Sequence, residues 1–125
     1  MKKLIILSAF FLCGMTNAAD YRAQLNGKFL RMSDSYCAGV SLREEAGLFD
    51  EMDNNPPCNI SVPARLKWID GETFALIEKE RKNEMSPPRV YLYKVKSVKG
   101  TKVVLTSIWT GWGDSNDRND TYVIQ

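Results

Sequence analysis

The run Trp109-Thr110-Gly111-Trp112-Gly113-Asp114 concentrates the recognition chemistry of this chain. Glycine tolerates positive φ, so the chain can turn sharply there and present an indole. An exposed indole stacks on sugars, peptides or partner side chains, and tryptophan is a frequent interface hot spot. Trp112, between two glycines, is the candidate contact residue, with Asp114 beside it. Trp109 ends a strand-like pattern and is expected mainly to finish the core, because burying so large a ring stabilises a small domain strongly. Tyr91 and Tyr93 share one face of a strand. They line a groove or form a core edge with hydroxyls reaching water, and the second is the commoner use of such a pair.

Other chemistries are poorly supplied. There is no histidine, which excludes Ser-His-Asp and Cys-His catalysis and histidine-ligated zinc. Asp114, Asn116 and Asp120 have the alternating oxygen chemistry of a calcium loop, but Arg118 stands where an oxygen ligand is needed. The glycine and distal glutamate of an EF-hand are also missing. Glu78, Glu80 and Glu84 lie among Lys79, Arg81 and Lys82, not as a facing carboxylate pair across a cleft. No catalytic residue, metal or cofactor is therefore expected.

The start of the chain reads as an export leader. Met1-Lys2-Lys3 is basic, Leu4–Leu12 is mostly apolar, and small or polar residues lead to Ala18-Ala19. That is the three-part layout of a cleaved signal peptide, and the apolar run is too short to span a bilayer. The Met-Lys-Lys opening points to a bacterial periplasm. Loss of Lys2 and Lys3 takes the 17 basic side chains to 15, equal to the 15 acidic ones. A neutral chain has no general field for nucleic acid, and no further segment is long enough for stable membrane insertion.

Cys13 leaves with the leader, and Cys37 and Cys58 remain. An even count in an oxidising compartment favours one disulfide. The pair is too far apart in sequence for a redox motif and too few for zinc.

Several elements must position these residues. Gln24–Met32 is a short extended segment. Val40–Met52 is the one helical candidate: Ser41 and Glu44 form a capping-box pattern, and Leu42, Ala46 and Phe49 fall on one side. Gly47 weakens it, and Asp53-Asn54-Asn55-Pro56-Pro57 ends it. Ile60–Ile69 and Glu72–Arg81 flank Asp70-Gly71, and Arg89–Val98 and Thr101–Trp109 flank Lys99-Gly100; both are hairpin patterns. Thr121–Ile124 is a closing strand.

The expectation is an all-β fold with a small α contribution: a six-stranded antiparallel meander forming a small barrel or strongly bent sheet, with one short helix before the second strand. Residues 20–125 make one such domain. The meander is weakly similar in architecture to lipocalin-like barrels, which have eight strands around a cavity. The functional expectation is a non-enzymatic exported binding protein, engaging an envelope protein or glycan through the Trp/Gly/Asp loop; small, disulfide-closed, secreted inhibitors and immunity proteins share this general form. The alternative is a lipocalin-like carrier holding an apolar molecule in the barrel.

Overall fold

The computed structural model describes residues 20–50, 58–81 and 83–125. The leader and its cleavage position lie outside the described residues, as does the Asp53–Pro57 segment.

The described residues form one helical turn, α1 (Arg22–Leu25), and eight strands: β1 (Phe29–Met32), β2 (Gly39–Ser41), β3 (Gly47–Phe49), β4 (Val62–Trp68), β5 (Thr73–Glu78), β6 (Val90–Lys99), β7 (Lys102–Ile108) and β8 (Arg118–Ile124). Each strand pairs antiparallel with the next, and β8 pairs back onto β1, with Leu30 opposite Ile124 and Met32 opposite Tyr122. The sheet is thus a closed up-and-down barrel, an arrangement that removes the exposed edges of an open sheet.

The all-β barrel follows the sequence expectation, with two corrections. The described residues hold eight strands rather than six, and the described part of Val40–Met52, which ends at Asp50, is not a helix. That part forms most of β2, a turn, and β3. Ser41 donates its hydroxyl proton to the Glu45 carbonyl at 2.8 Å across that turn, so it does not cap a helix. Leu42 and Ala46 are both buried, as helical spacing required, but a strand–turn–strand buries residues four apart equally well. Gly47 settles the choice. A Cβ there would overlap the carbonyl oxygen of Val62 on β4, so glycine is what lets β3 and β4 approach. The small helical part is α1, ahead of the first strand rather than the second.

Alternation along the strands fills the barrel. Leu30, Val40, Ala64, Phe74, Leu76, Tyr93, Val95, Val103, Leu105 and Tyr122 are all buried and form one cluster. Phe74 lies at its centre, stacked on Tyr93 with centroids 5.3 Å apart and tilted against Trp68 at 5.0 Å.

Antiparallel order gives the barrel two unlike ends. One end carries the tight turns β2–β3, β4–β5 and β6–β7, and α1 seals it. Leu25 is fully buried there, and the amides of Tyr21 and Arg22 donate to the Gly71 carbonyl. The Asp70 carboxylate organises the β4–β5 turn by accepting from the amides of Glu72 and Thr73 at 2.8 and 2.7 Å. The opposite end carries the four longer connections, residues 33–38, 50–61, 79–89 and 109–117.

Candidate functional site

The sequence-predicted loop belongs to this second end, which can be built connection by connection. In β1–β2, the Arg31 guanidinium donates to the carbonyls of Met32 and Ser35, and the Ala38 amide donates to the Ser35 hydroxyl at 2.9 Å. Tyr36 stands out from this braced loop, 69% exposed. Cys37 and Cys58 are joined, with Cα atoms 5.6 Å apart, within the usual range for a disulfide. The bond ties β1–β2 to β3–β4.

In β5–β6, Asn83 Oδ1 accepts from the amides of Met85 and Ser86, which leaves Met85 projecting into solvent. A groove of about 540 Å³ runs under this connection, lined in part by Arg65, Ile77 and Met85.

The β7–β8 loop is braced by its own hydrogen bonds. The Trp109 amide donates to the Asp117 carboxylate at 2.8 Å. The Trp109 indole N–H donates to the Gly113 carbonyl at 3.0 Å. The Thr110 hydroxyl donates to the Val90 carbonyl at 2.9 Å, fastening the loop to the start of β6. Gly111 lies on the Trp109 ring so closely that a Cβ would meet the ring carbons. Gly113 has φ +74, a left-handed conformation natural to glycine. Between them Trp112 is 99% exposed.

The remaining sequence-predicted residues divide. Trp109 is not in the core; it is 47% exposed and supports the loop that carries Trp112. Asp114 is exposed beside Trp112. Tyr91 is half-buried and packs against the core, while Tyr93 is buried inside the barrel. Tyr93 therefore lies beneath this end rather than at its surface. Burial holds its hydroxyl protonated, with Tyr122 and Tyr91 adding to the effect. Burial, then the Asp120 charge, pushes the Tyr122 hydroxyl up to about 12. The acidic run after the glycines is given to structure: Asp117 holds Trp109, and Asp120 pairs with Arg118 at 2.9 Å.

Sequence reasoning missed Tyr36, Met85 and Val90. Together with Trp109 and Trp112 they are five of the six large hydrophobic residues most exposed among the described ones, and all five sit at the loop end; only Ile69 is at the other. Single exposed hydrophobics are ordinary; the antiparallel strand order puts these at one end, and barrel closure curls that end into a ring.

No protein-family model, curated protein or solved structure matches the chain. Fold and surface define it as a small, disulfide-closed, eight-stranded up-and-down barrel with a packed interior and an aromatic loop end. Among the described residues no helix is long and apolar enough to cross a membrane.

Proposed function

We propose that this is a non-enzymatic exported binding protein of the bacterial periplasm, which recognises an envelope protein or glycan through its loop end with Trp112 as the principal contact. The observation that carries the reading is the fully exposed indole of Trp112 on a loop braced by three hydrogen bonds. A preformed loop loses little conformational freedom on binding, and a tryptophan held in solvent gains most from being covered. The disulfide favours an oxidising compartment. The packed interior favours surface recognition over lipocalin-like carriage, which calls for a cavity of several hundred Å³.

The test compares wild type with Trp112→Ala, each immobilised and exposed to solubilised envelope proteins and to isolated cell-wall glycan. Selective, saturable retention by the wild type alone supports the reading. Equal retention by both proteins removes the loop from it.

A further inference from the structure

The outer wall of β6–β8 has a feature that the loop end does not use. Lys94 on β6, Thr106 on β7 and Asn119 on β8 stand opposite one another in a single row across three strands. Tyr93, Val95 and Leu105 beside them in sequence point inward and are buried, so this row faces out. A β-bulge between Val95 and Ser97 leaves Lys96 without an opposite residue on β7, and an extra residue of this kind re-aims the local side chains. Lys94, Lys96, Thr106 and Asn119, with Tyr21 and Glu72, line an open cleft of about 410 Å³.

We propose that this cleft is a binding site for a phosphate-bearing ligand, held by the Lys94 and Lys96 ammonium groups and the Asn119 side-chain amide. Three features support it. First, the Thr106 hydroxyl donates to Asn119 Oδ1 at 2.6 Å, which occupies the amide oxygen and leaves its NH₂ group as the donor. Second, neither lysine forms an ion pair among the described residues. Third, β6, β7 and β8 together carry one carboxylate, Asp120, already bound to Arg118, while Lys99 and Lys102 add further positive charge at the β6–β7 turn. Two ammonium groups and a fixed amide are the donor set that a phosphate accepts.

The cleft is not uniformly basic. Glu72 also lines it, and the Asp70 carboxylate, held by the amides of Glu72 and Thr73, lies within electrostatic reach of Lys94. Glu72 and the Tyr21 hydroxyl would accept from hydroxyl groups, which suits a phosphate carried on a sugar. The shared chemistry is the phosphate, whose source is either the free ion or a phosphorylated glycan.

The test is amide chemical-shift titration of the full mature protein with inorganic phosphate, glucose 6-phosphate and glucose. The expected result is saturable shifts confined to Lys94–Lys96, Thr106 and Asn119 with the phosphate-bearing ligands and none with glucose. Tighter binding of the sugar phosphate assigns the glycan source, and equal affinity assigns the free ion. Asn119→Asp keeps the acceptor for Thr106 but places a negative charge in the cleft, so it reports on the site without disturbing the barrel. That variant and Lys94→Gln/Lys96→Gln are each expected to weaken binding roughly tenfold to a hundredfold, since hydrogen bonds to charged groups are at stake. Trp112→Ala is expected to bind phosphate as the wild type does, so failure of the loop reading leaves this site untouched. Absence of saturation up to about 10 mM, shifts spread over all exposed lysines, or unchanged affinity in Asn119→Asp would overturn the proposal.

Discussion

The indole N–H of Trp109 donates to the carbonyl oxygen of Gly113, closing residues 109–113 into a tight loop with Trp112 at its tip. One tryptophan thus acts as the brace for the other. Because Trp112 contributes nothing to the barrel's packing, Trp112→Ala is expected to unfold within about 0.5 kcal/mol of wild type, as surface changes do. The same change is expected to weaken partner binding by about 2 kcal/mol or more, the hot-spot range. Denaturant unfolding beside a binding isotherm checks the pair. A large stability loss would mean that Trp112 packs on the fold.

Gly111→Ala tests the brace itself. Its Cβ would fall 2.5 Å from Trp109 Cζ2, so the ring must shift, and its bond to Gly113 is expected to weaken. The barrel is expected to melt nearly as before. Tryptophan emission shifts toward that of solvated indole, and partner binding weakens although Trp112 is unchanged. Emission identical to wild type would show that the ring does not need its present place.

The Cys37–Cys58 bond reinforces the barrel's thinnest seam. β3 meets β4 through two register pairs only, Gly47 with Pro63 and Leu48 with Val62, and the bond ties the connections on either side of β2–β3. Cys37→Ala/Cys58→Ala is expected to cost about 3 kcal/mol on the chain-entropy account of a loop of this length. Urea unfolding measures the loss, and hydrogen exchange should show β2 and β3 opening first.

Phe74→Ala removes the ring between Trp68 and Tyr93 at the centre of the barrel. The expected cost is about 3–5 kcal/mol, the range for a buried phenylalanine. A cost below about 1 kcal/mol would mean that the interior is loosely packed, and would revive the carrier reading.

The two buried tyrosines predict how stability depends on alkaline pH. Both titrate higher in the folded protein than the value near 10 expected of an unfolded chain, Tyr122 at about 12 and Tyr93 higher still. Between these values the unfolded chain has lost protons that the folded one keeps, so stability falls as pH rises. Full stability is expected below about pH 10, declining through the Tyr122 value of about 12. Tyr122→Phe should flatten this decline, and thermal melts across pH 9–12 read it directly.

Much of this was legible in local chemistry. Alternation and turn residues marked six of the strands, although of the expected extended segment Gln24–Met32 only Phe29–Met32 is strand and Gln24-Leu25 close the helical turn α1, β8 starts at Arg118 rather than Thr121, and the β6–β7 turn is centred on Gly100-Thr101. The cysteine count indicated the disulfide, and the Trp-Gly-Trp-Gly run marked the loop. These signals depend on neighbours in the chain, so a sequence displays them.

What tertiary structure decided was long-range. Leu42 and Ala46 are spaced for a helix, yet the close approach of Val62 to Gly47 makes the segment two strands. Trp109 reads as a core residue until the Gly113 carbonyl and the Asp117 carboxylate are seen to hold it at the surface. Tyr36 and Met85 are isolated exposed residues in a linear reading; antiparallel strand order places them at the end that carries Trp112, and closure of β8 onto β1 curls that end into a ring. Alternation sets which side of a strand a residue faces; only the register between distant strands sets which residues meet.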